Sequence, residues 1–279
     1  MENEQSEKSF FKRFWWIGLI ILIVIVAGII LINKNEKETA SSSKPTDSQD
    51  SAKNKVFWQQ NQDGWKAVGT PPACPEPLVL SIGDISQATS VLYPGQMRSV
   101  GYEPTAGFRF DNTSNNAIQI QAPLDGEIVA ASRFISSGSN QYVFDIMSPC
   151  GIMNRFDHLL EIPAKLQAIA DKLPEPKEND SRSTAINPPV SISKGEIIAT
   201  KIGISENNNN FLSWTVFDFR QKNKISQEQD WAVSHPGLYH FAICPYQYMT
   251  AEDQAIAKKL PPADEKSGDK SDFCNGIWP

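Results

Sequence analysis

The longest uncharged stretch of the chain lies near its start and separates a short basic tail from everything that follows. The twenty residues 14–33 carry no charged side chain. At a rise of about 1.5 Å per helical residue, such a run crosses a hydrocarbon core about 30 Å thick. A cleaved signal peptide is the alternative, but its apolar core is usually about 7–15 residues long. The stretch therefore predicts an uncleaved transmembrane anchor.

The charges beside this anchor predict its orientation. Lys8, Lys12 and Arg13 lie in the tail, residues 1–13, that precedes it. Since positively charged flanks stay on the cytoplasmic side, we expect the tail in the cytoplasm and the main domain outside the cell membrane. The net charge of −6, with no cluster of basic residues, argues against a nucleic-acid partner. The pattern is that of a single-pass membrane protein.

A polar segment follows the anchor, and a segment with several aromatic residues begins after it at residue 56. Residues 34–55 have no aromatic and few apolar side chains, so they cannot bury enough surface to offset the entropy of folding, and we expect a flexible linker. An N-terminal β extension is predicted over 56–100. It begins with 56–69, two aromatic-bearing runs around a central Asp-Gly pair, which is typical of a β-hairpin. Trp58 and Trp65 are expected to pack on a core, although a sugar-stacking pair is also possible.

The cysteines predict covalent links within the outer domain. Cys74, Cys150, Cys244 and Cys274 all follow the anchor, and their number is even. In an exported domain, the expectation is two disulfides with three possible connectivities. Loop length favours Cys244 with Cys274, which leaves Cys74 with Cys150.

A second β-hairpin is predicted in the middle of the chain. Residues 117–133, AIQIQAPLDGEIVAASR, alternate apolar and polar side chains on both sides of Asp125 and Gly126. Alternation places every second residue on one sheet face, and an Asp-Gly pair tolerates the positive φ angles of a tight turn.

This hairpin and its neighbours resemble a known family. The order and composition of four segments are similar to the β-sheet core of the M23 metallopeptidases, which cleave peptidoglycan and share the LytM fold. Together with the hairpin, the segments are GYEPTAGFRF at 101–110, VFDIMSPCGIMNRFDHLL at 143–160, VSISKGEIIATKIG at 190–203 and WTVFDFR at 214–220. The resemblance covers about 101–220, roughly two fifths of the chain.

The resemblance implies a mainly β fold, with an antiparallel LytM-like sheet core over 101–249. Within it, residues 163–173 have apolar side chains at helical spacing between two prolines, and they predict a short helical insertion. Residues 250–279 are expected to form a C-terminal helix and tail, because a Thr precedes acidic residues and lysines come last.

An active M23 peptidase binds zinc through the His and Asp of an H-x-G-x-D segment and the second His of an H-x-H strand. The resemblance places the first segment on Thr105, Gly107 and Arg109, and the second on Trp214 and Val216. Only the glycine is kept. An arginine is a permanent cation and valine has no lone pair, so these positions cannot bind zinc.

A histidine of a further family motif, Y-x-H-L, is kept at His158. We expect it to be vestigial, and we expect the domain to have no zinc cofactor and no catalytic activity. The remaining histidines, His235 and His240, leave open a zinc cell-wall hydrolase with relocated ligands.

The main functional expectation is a catalytically inactive module that binds peptidoglycan, a glycan or an envelope protein, in a regulatory or scaffolding role. Its binding groove is predicted from Arg109, Trp214, Thr105 and His158, where the arginine suits a carboxylate and the tryptophan offers a flat ring face. A groove without a ligand is also possible, with Trp214 filling the vacated pocket and Arg109 paired with a nearby aspartate. In that case a purely structural envelope subunit is the expected role.

Overall fold

The architecture is described from a computed structural model over residues 56–61, 64–99, 101–206 and 209–274. These residues belong to one unit, Asn54–Pro279. The predicted tail, anchor and linker, residues 1–55, lie outside the described residues. Within the described ranges, every helix is too short or too polar to cross a membrane.

The fold is mainly β, as predicted, and its strands pair antiparallel. The strands are β1 (Phe57–Asn61), β2 (Gly64–Val68), β3 (Ser90–Leu92), β4 (Gln96–Arg98), β5 (Gly101–Glu103), β6 (Ala106–Arg109), β7 (Ile120–Gln121), β8 (Gly126–Ser136), β9 (Ser139–Met147), β10 (Ile152–Glu161), β11 (Thr184–Ile192), β12 (Ile197–Ala199), β13 (Lys201–Ile202) and β14 (Phe211–Asp218). The short α-helices are α1 (Ala164–Ala170), α2 (Gln229–Ser234) and α3 (Ala251–Ala257).

One large sheet organises the domain, with the strand order β11-β8-β9-β10-β14-β6-β3 and β13 beside the end of β10. Three two-stranded pairs complete the β structure: β1 with β2, β4 with β5, and β7 with β12. Strand β3 belongs to the segment 56–100 yet lies in the large sheet beside β6. The sheet core thus draws one strand from the N-terminal extension.

The predicted hairpin over residues 117–133 is wrong. Strand β7 pairs with β12 instead of β8, through Ile120 opposite Ala199. The reason lies in the intervening residues, because the carboxylate of Asp125 accepts a 2.8 Å hydrogen bond from the backbone N–H of Lys194. Asp125 therefore docks against the turn between β11 and β12. Strand β8 forms its hairpin with β9, through a turn at Ser137 and Gly138 in which both φ angles are positive.

The N-terminal hairpin is confirmed, with Phe57 opposite Val68 and Asn61 opposite Gly64. Its two tryptophans pack on a small apolar cluster as expected, each with its ring centroid 6.3 Å from that of Phe219. The residues of its turn, 62–63, lie outside the described ranges.

The predicted helical insertion is confirmed as α1, which buries Leu166, Ile169 and Ala170 against the main core. Pro163 is the residue before the helix and not its first residue. Helix α3 starts as expected at Thr250, whose hydroxyl accepts a hydrogen bond from the N–H of Asp253.

The structure confirms two disulfides, Cys74–Cys150 and Cys244–Cys274, in the pairing that loop length favours. The first bond ties the N-terminal extension to the end of β9, and the second ties the C-terminal tail to the segment after β14. Both extensions are thus covalently attached to the sheet.

Candidate functional site

Cross-strand pairing assigns each residue of the central strands to one of two sheet faces. Leu212 lies opposite Phe108, and Trp214 lies opposite Ala106. All four are fully buried, and we call their side the core face. Since side chains alternate along a strand and paired residues share a face, Arg109 lies on the opposite side, which we call the outer face.

This assignment corrects the predicted groove. Trp214 and Val216 point into the core, whereas Arg109 and Thr105 belong to the outer face. On β14 the residues that share the outer face are therefore Ser213 and Thr215, one position away from the predicted pair. Thr105 and Arg109 therefore do not line one site together with Trp214 and Val216.

Trp214 also has no free ring face for a ligand. Its ring is stacked on Phe156 at a centroid distance of 6.3 Å and an interplanar angle of 5°. Its indole N–H donates a 3.0 Å hydrogen bond to the side-chain oxygen of Asn154, which is also buried. The side chain therefore fills the core and offers no binding platform.

Arg109 lies on the outer face but is already paired. Its guanidinium donates hydrogen bonds of 3.0 and 2.7 Å to one oxygen of Asp111 and a 2.9 Å hydrogen bond to the side chain of Asn209. The bond from Arg109 lowers the pKa of Asp111, which keeps that carboxylate charged. Arg109 is thus held in a surface ion pair with a nearby aspartate.

Four side chains make a polar row across the middle of the outer face, and we call Asp145, Arg155, Thr215 and Thr105 the polar row. Arg155 lies opposite Asp145 on one side and opposite Thr215 on the other. The row continues to β6, because the hydroxyl oxygens of Thr215 and Thr105 are 3.3 Å apart. It therefore spans β9, β10, β14 and the start of β6.

The centre of the polar row is an ion pair. Arg155 Nη1 lies 3.3 Å from Asp145 Oδ2, and its Nη2 donates a 3.2 Å hydrogen bond to the hydroxyl of Ser183. Asp145 is only 4% exposed, and its Oδ1 has no hydrogen-bond partner among the described residues. Burial raises the pKa of Asp145, and the charge of Arg155 opposes that rise.

Further charges surround this pair. Asp157 follows on the same face of β10 and also acts to raise the pKa of Asp145. Burial raises the pKa of Glu103 on β5, where Arg98 opposes the rise and Asp157 adds to it. Burial thus disfavours the charged forms of Asp145 and Glu103, whereas Arg155 beside Asp145 stays partly exposed.

His158 lies three residues beyond Arg155, at an irregularity of β10 where its own φ is +60°. Its Nδ1 is 2.6 Å from the side-chain oxygen of Gln141. The ring packs against Phe134 and Phe211 at centroid distances of 6.2 and 4.6 Å. Because Phe211 lies opposite Arg109, the structure brings these two predicted residues to the same end of the outer face.

The residues that the resemblance places at zinc positions do not fit the ion, because Arg109 is a cation and Val216 has no lone pair. The hydroxyls of Thr105, Ser213 and Thr215 on the outer face are also poor zinc ligands. Over the described ranges, no group of three His, Cys, Asp or Glu side chains is placed to hold a metal. His235 and His240 lie elsewhere, bonded to the backbone carbonyls of Trp231 and Ala232.

The polar row was not found from the sequence, although a signal for it exists. Asp145 lies within the apolar run VFDIM, and Arg155 lies next to the buried Phe156 in IMNRF. A charged residue inside a buried strand requires a partner, so two such residues on neighbouring strands predict a cross-strand ion pair.

Comparison with known proteins adds no relative: no family model matches the sequence, and no curated protein or solved structure is significantly similar to it.

Proposed function

We propose that this protein is a membrane-anchored, catalytically inactive module that binds a peptide-bearing polymer or a protein of the cell envelope on its outer sheet face. The anchor is the apolar run at residues 14–33. Two disulfides support a location outside the cytoplasm, since such bonds persist in oxidising compartments. The M23-like order of sequence segments supports peptidoglycan as the polymer.

The main support for this proposal is Arg155, the partly exposed arginine at the centre of the polar row. A guanidinium has five N–H donors, and Asp145 and Ser183 take one donor each from Arg155. The side chain of Arg155 keeps 27% of its surface exposed. It therefore has donors left for a carboxylate, which peptide stems and protein partners both carry, and Asp145 positions it from the neighbouring strand.

The chemistry of the row favours binding over hydrolysis. The neighbouring hydroxyls of Thr105, Ser213 and Thr215 add hydrogen-bonding groups. Within the described ranges, none of these hydroxyls is hydrogen-bonded to a carboxylate or histidine that could act as its general base. The positions that would hold zinc carry residues unsuited to it. Chain cleavage would require zinc ligands relocated from elsewhere in the chain.

The test exchanges the buried ion pair for a neutral pair. Changing Asp145→Asn together with Arg155→Gln removes both charges without leaving either one buried alone. We expect affinity for purified wall fragments to fall at least about tenfold, or roughly 1.4 kcal/mol, while the domain stays folded.

A matched control is available in the ion pair between Asp180 and Arg182, whose closest atoms are 2.6 Å apart and whose arginine side chain is 85% exposed. The double change Asp180→Asn and Arg182→Gln alters charge identically and should leave affinity unchanged. Equal affinity in wild type and in both double variants would remove the polar row from the mechanism and favour a structural subunit.

A further inference from the structure

A large groove, lined by none of the polar-row residues, lies between the N-terminal hairpin and the edge strand β11. Its volume is about 1100 Å³. Trp58 and Trp65, which share one face of the hairpin, line one wall, and Phe57 of the opposite face lies at its edge. Residues of β11 that include Asn187 and Pro189 form the other wall. A volume of this size exceeds the usual range of about 300–1000 Å³ for small-molecule sites, so the groove suits an extended ligand.

The aromatic wall is fixed before any ligand arrives. The indole N–H of Trp58 donates a 3.1 Å hydrogen bond to the backbone carbonyl of Pro149. The same ring lies so close to Gly151 that a Cβ there would be 2.5 Å from it. The rings of Trp58 and Trp65 both pack against the ring of Phe219. Because these rings are already ordered, binding against them loses little side-chain entropy.

The charges of the groove restrict what it can hold. Among the described residues that line it, the charged ones are Asp125 and Glu127, both acidic, and none is a lysine or an arginine. A phosphate, a nucleic acid or another anionic polymer would meet no cation there and would be repelled. The groove instead offers acceptor oxygens beside apolar ring surfaces.

This combination matches the two sides of a sugar ring. A pyranose presents an apolar C–H face that stacks on an aromatic ring, and a rim of hydroxyls that donate hydrogen bonds to carboxylates and amides. Asp125, Glu127 and Asn187 provide such acceptors along the groove. We propose that the groove between β1–β2 and β11 binds a neutral, linear oligosaccharide, with its sugar rings against Trp58 and Trp65 and in contact with Phe57 at the edge of the groove.

This proposal does not depend on the polar row, because the residues involved are different. It is tested with the full-length protein in detergent micelles, titrated with a β-1,4-linked tetramer of N-acetylglucosamine while tryptophan fluorescence is recorded. A saturable change is expected, because two tryptophans line the groove. The glucose tetramer with the same linkage serves as a second neutral glycan.

The hairpin offers a matched pair of variants. Phe57 lines the groove and is 41% exposed, whereas its cross-strand partner Val68 is 39% exposed and does not line it. Both side chains are largely solvent-exposed, so neither truncation should unfold the domain. Phe57→Ala should weaken glycan binding at least about fivefold, and Asn187→Ala should weaken it as well, whereas Val68→Ala should leave it within about twofold.

Several outcomes would overturn the proposal. Absence of glycan binding at millimolar concentration, or equal binding by the Phe57 and Val68 variants, would show that the groove is not a sugar site. Binding of a proline-rich peptide in preference to both tetramers would assign the aromatic wall to a protein partner instead. The double change at Asp145 and Arg155 should leave glycan binding intact, which separates failure here from failure of the proposed function.

Discussion

Asp145 and Arg155 face each other on neighbouring strands, 3.3 Å apart at Oδ2 and Nη1, while Asp145 Oδ1 has no hydrogen-bond partner in the described part of the chain. The pair is therefore only partly satisfied. A buried carboxylate with one unpaired oxygen destabilises the charged form of the folded protein, so the free energy of unfolding should depend on pH.

The consequence is a pH dependence of stability. The pKa of Asp145 is raised in the folded state, mainly by burial. The folded protein then binds the proton more tightly than the unfolded chain, whose pKa for Asp is about 3.9. The resulting stabilisation is fully present below that value and is lost as pH rises through the folded-state pKa.

Asp145→Asn removes this titration. We therefore predict that the free energy of unfolding of wild type, minus that of Asp145→Asn, decreases as the pH rises from below about 4 toward neutrality. Urea unfolding at a series of pH values measures it. A difference that stays constant, or that increases with pH, would mean that the carboxyl group is not destabilised by burial.

Trp214 is predicted to matter for stability and not for binding. Trp214→Ala removes a fully buried ring stacked on Phe156 and should cost about 3–5 kcal/mol of unfolding free energy. Trp214→Phe keeps an aromatic ring but leaves the buried oxygen of Asn154 without its donor, which should cost about 1–3 kcal/mol. Denaturant unfolding measures both. A loss of ligand affinity in Trp214→Phe without loss of stability would instead restore the tryptophan to a binding role.

Gly107 is predicted to tolerate no side chain. Its φ is +156°, and a Cβ would lie 1.8 Å from the carbonyl oxygen of Leu212 on the paired strand. Gly107→Ala should therefore destabilise the domain by about 3 kcal/mol or more. Gly195 also has positive φ but open space around its Cβ position, so Gly195→Ala should cost only the backbone strain of about 1–2 kcal/mol. Equal losses would show that β6 moves to relieve the clash.

The two disulfides should contribute unequally. Removing either one should cost about 2–5 kcal/mol. The bond between Cys74 and Cys150 closes 76 residues and that between Cys244 and Cys274 closes 30. Loop-closure entropy then makes the first about 0.8 kcal/mol more stabilising. Paired Cys→Ala variants, unfolded in urea without reductant, test the order. Two titratable thiols in the oxidised wild-type protein would contradict one of the bonds, and four would contradict both.

Local patterns in the sequence predicted local structure well. The hairpin of β1 and β2, helix α1 and the Thr250 cap depend on residues a few positions apart, where alternation, helical spacing and capping act directly. The pairing of β7 with β12 joins Gln121 to Ile197, far along the chain. Alternation tells which face a residue occupies but not which strand lies beside it, so this pairing could not be read locally.

The site was harder to predict than the fold, because it depends on the register between neighbouring strands. Strand β14 is buried on both faces over much of its length, from Trp214 to Asp218, so its sequence lacks the alternation that would distinguish them. The family resemblance placed the functional positions at Trp214 and Val216, whereas cross-strand pairing places Ser213 and Thr215 on the face of Arg109. Strand register, which only the structure provides, decides between these two sets.

The most direct test of the account measures binding and cleavage in one sample. Full-length protein with oxidised cysteines is incubated with purified wall fragments, with and without added zinc, and both bound protein and newly released amino groups are quantified. We expect saturable binding that zinc does not change, and no release of peptide fragments. Zinc-dependent release of fragments would contradict it and establish a hydrolase with relocated ligands.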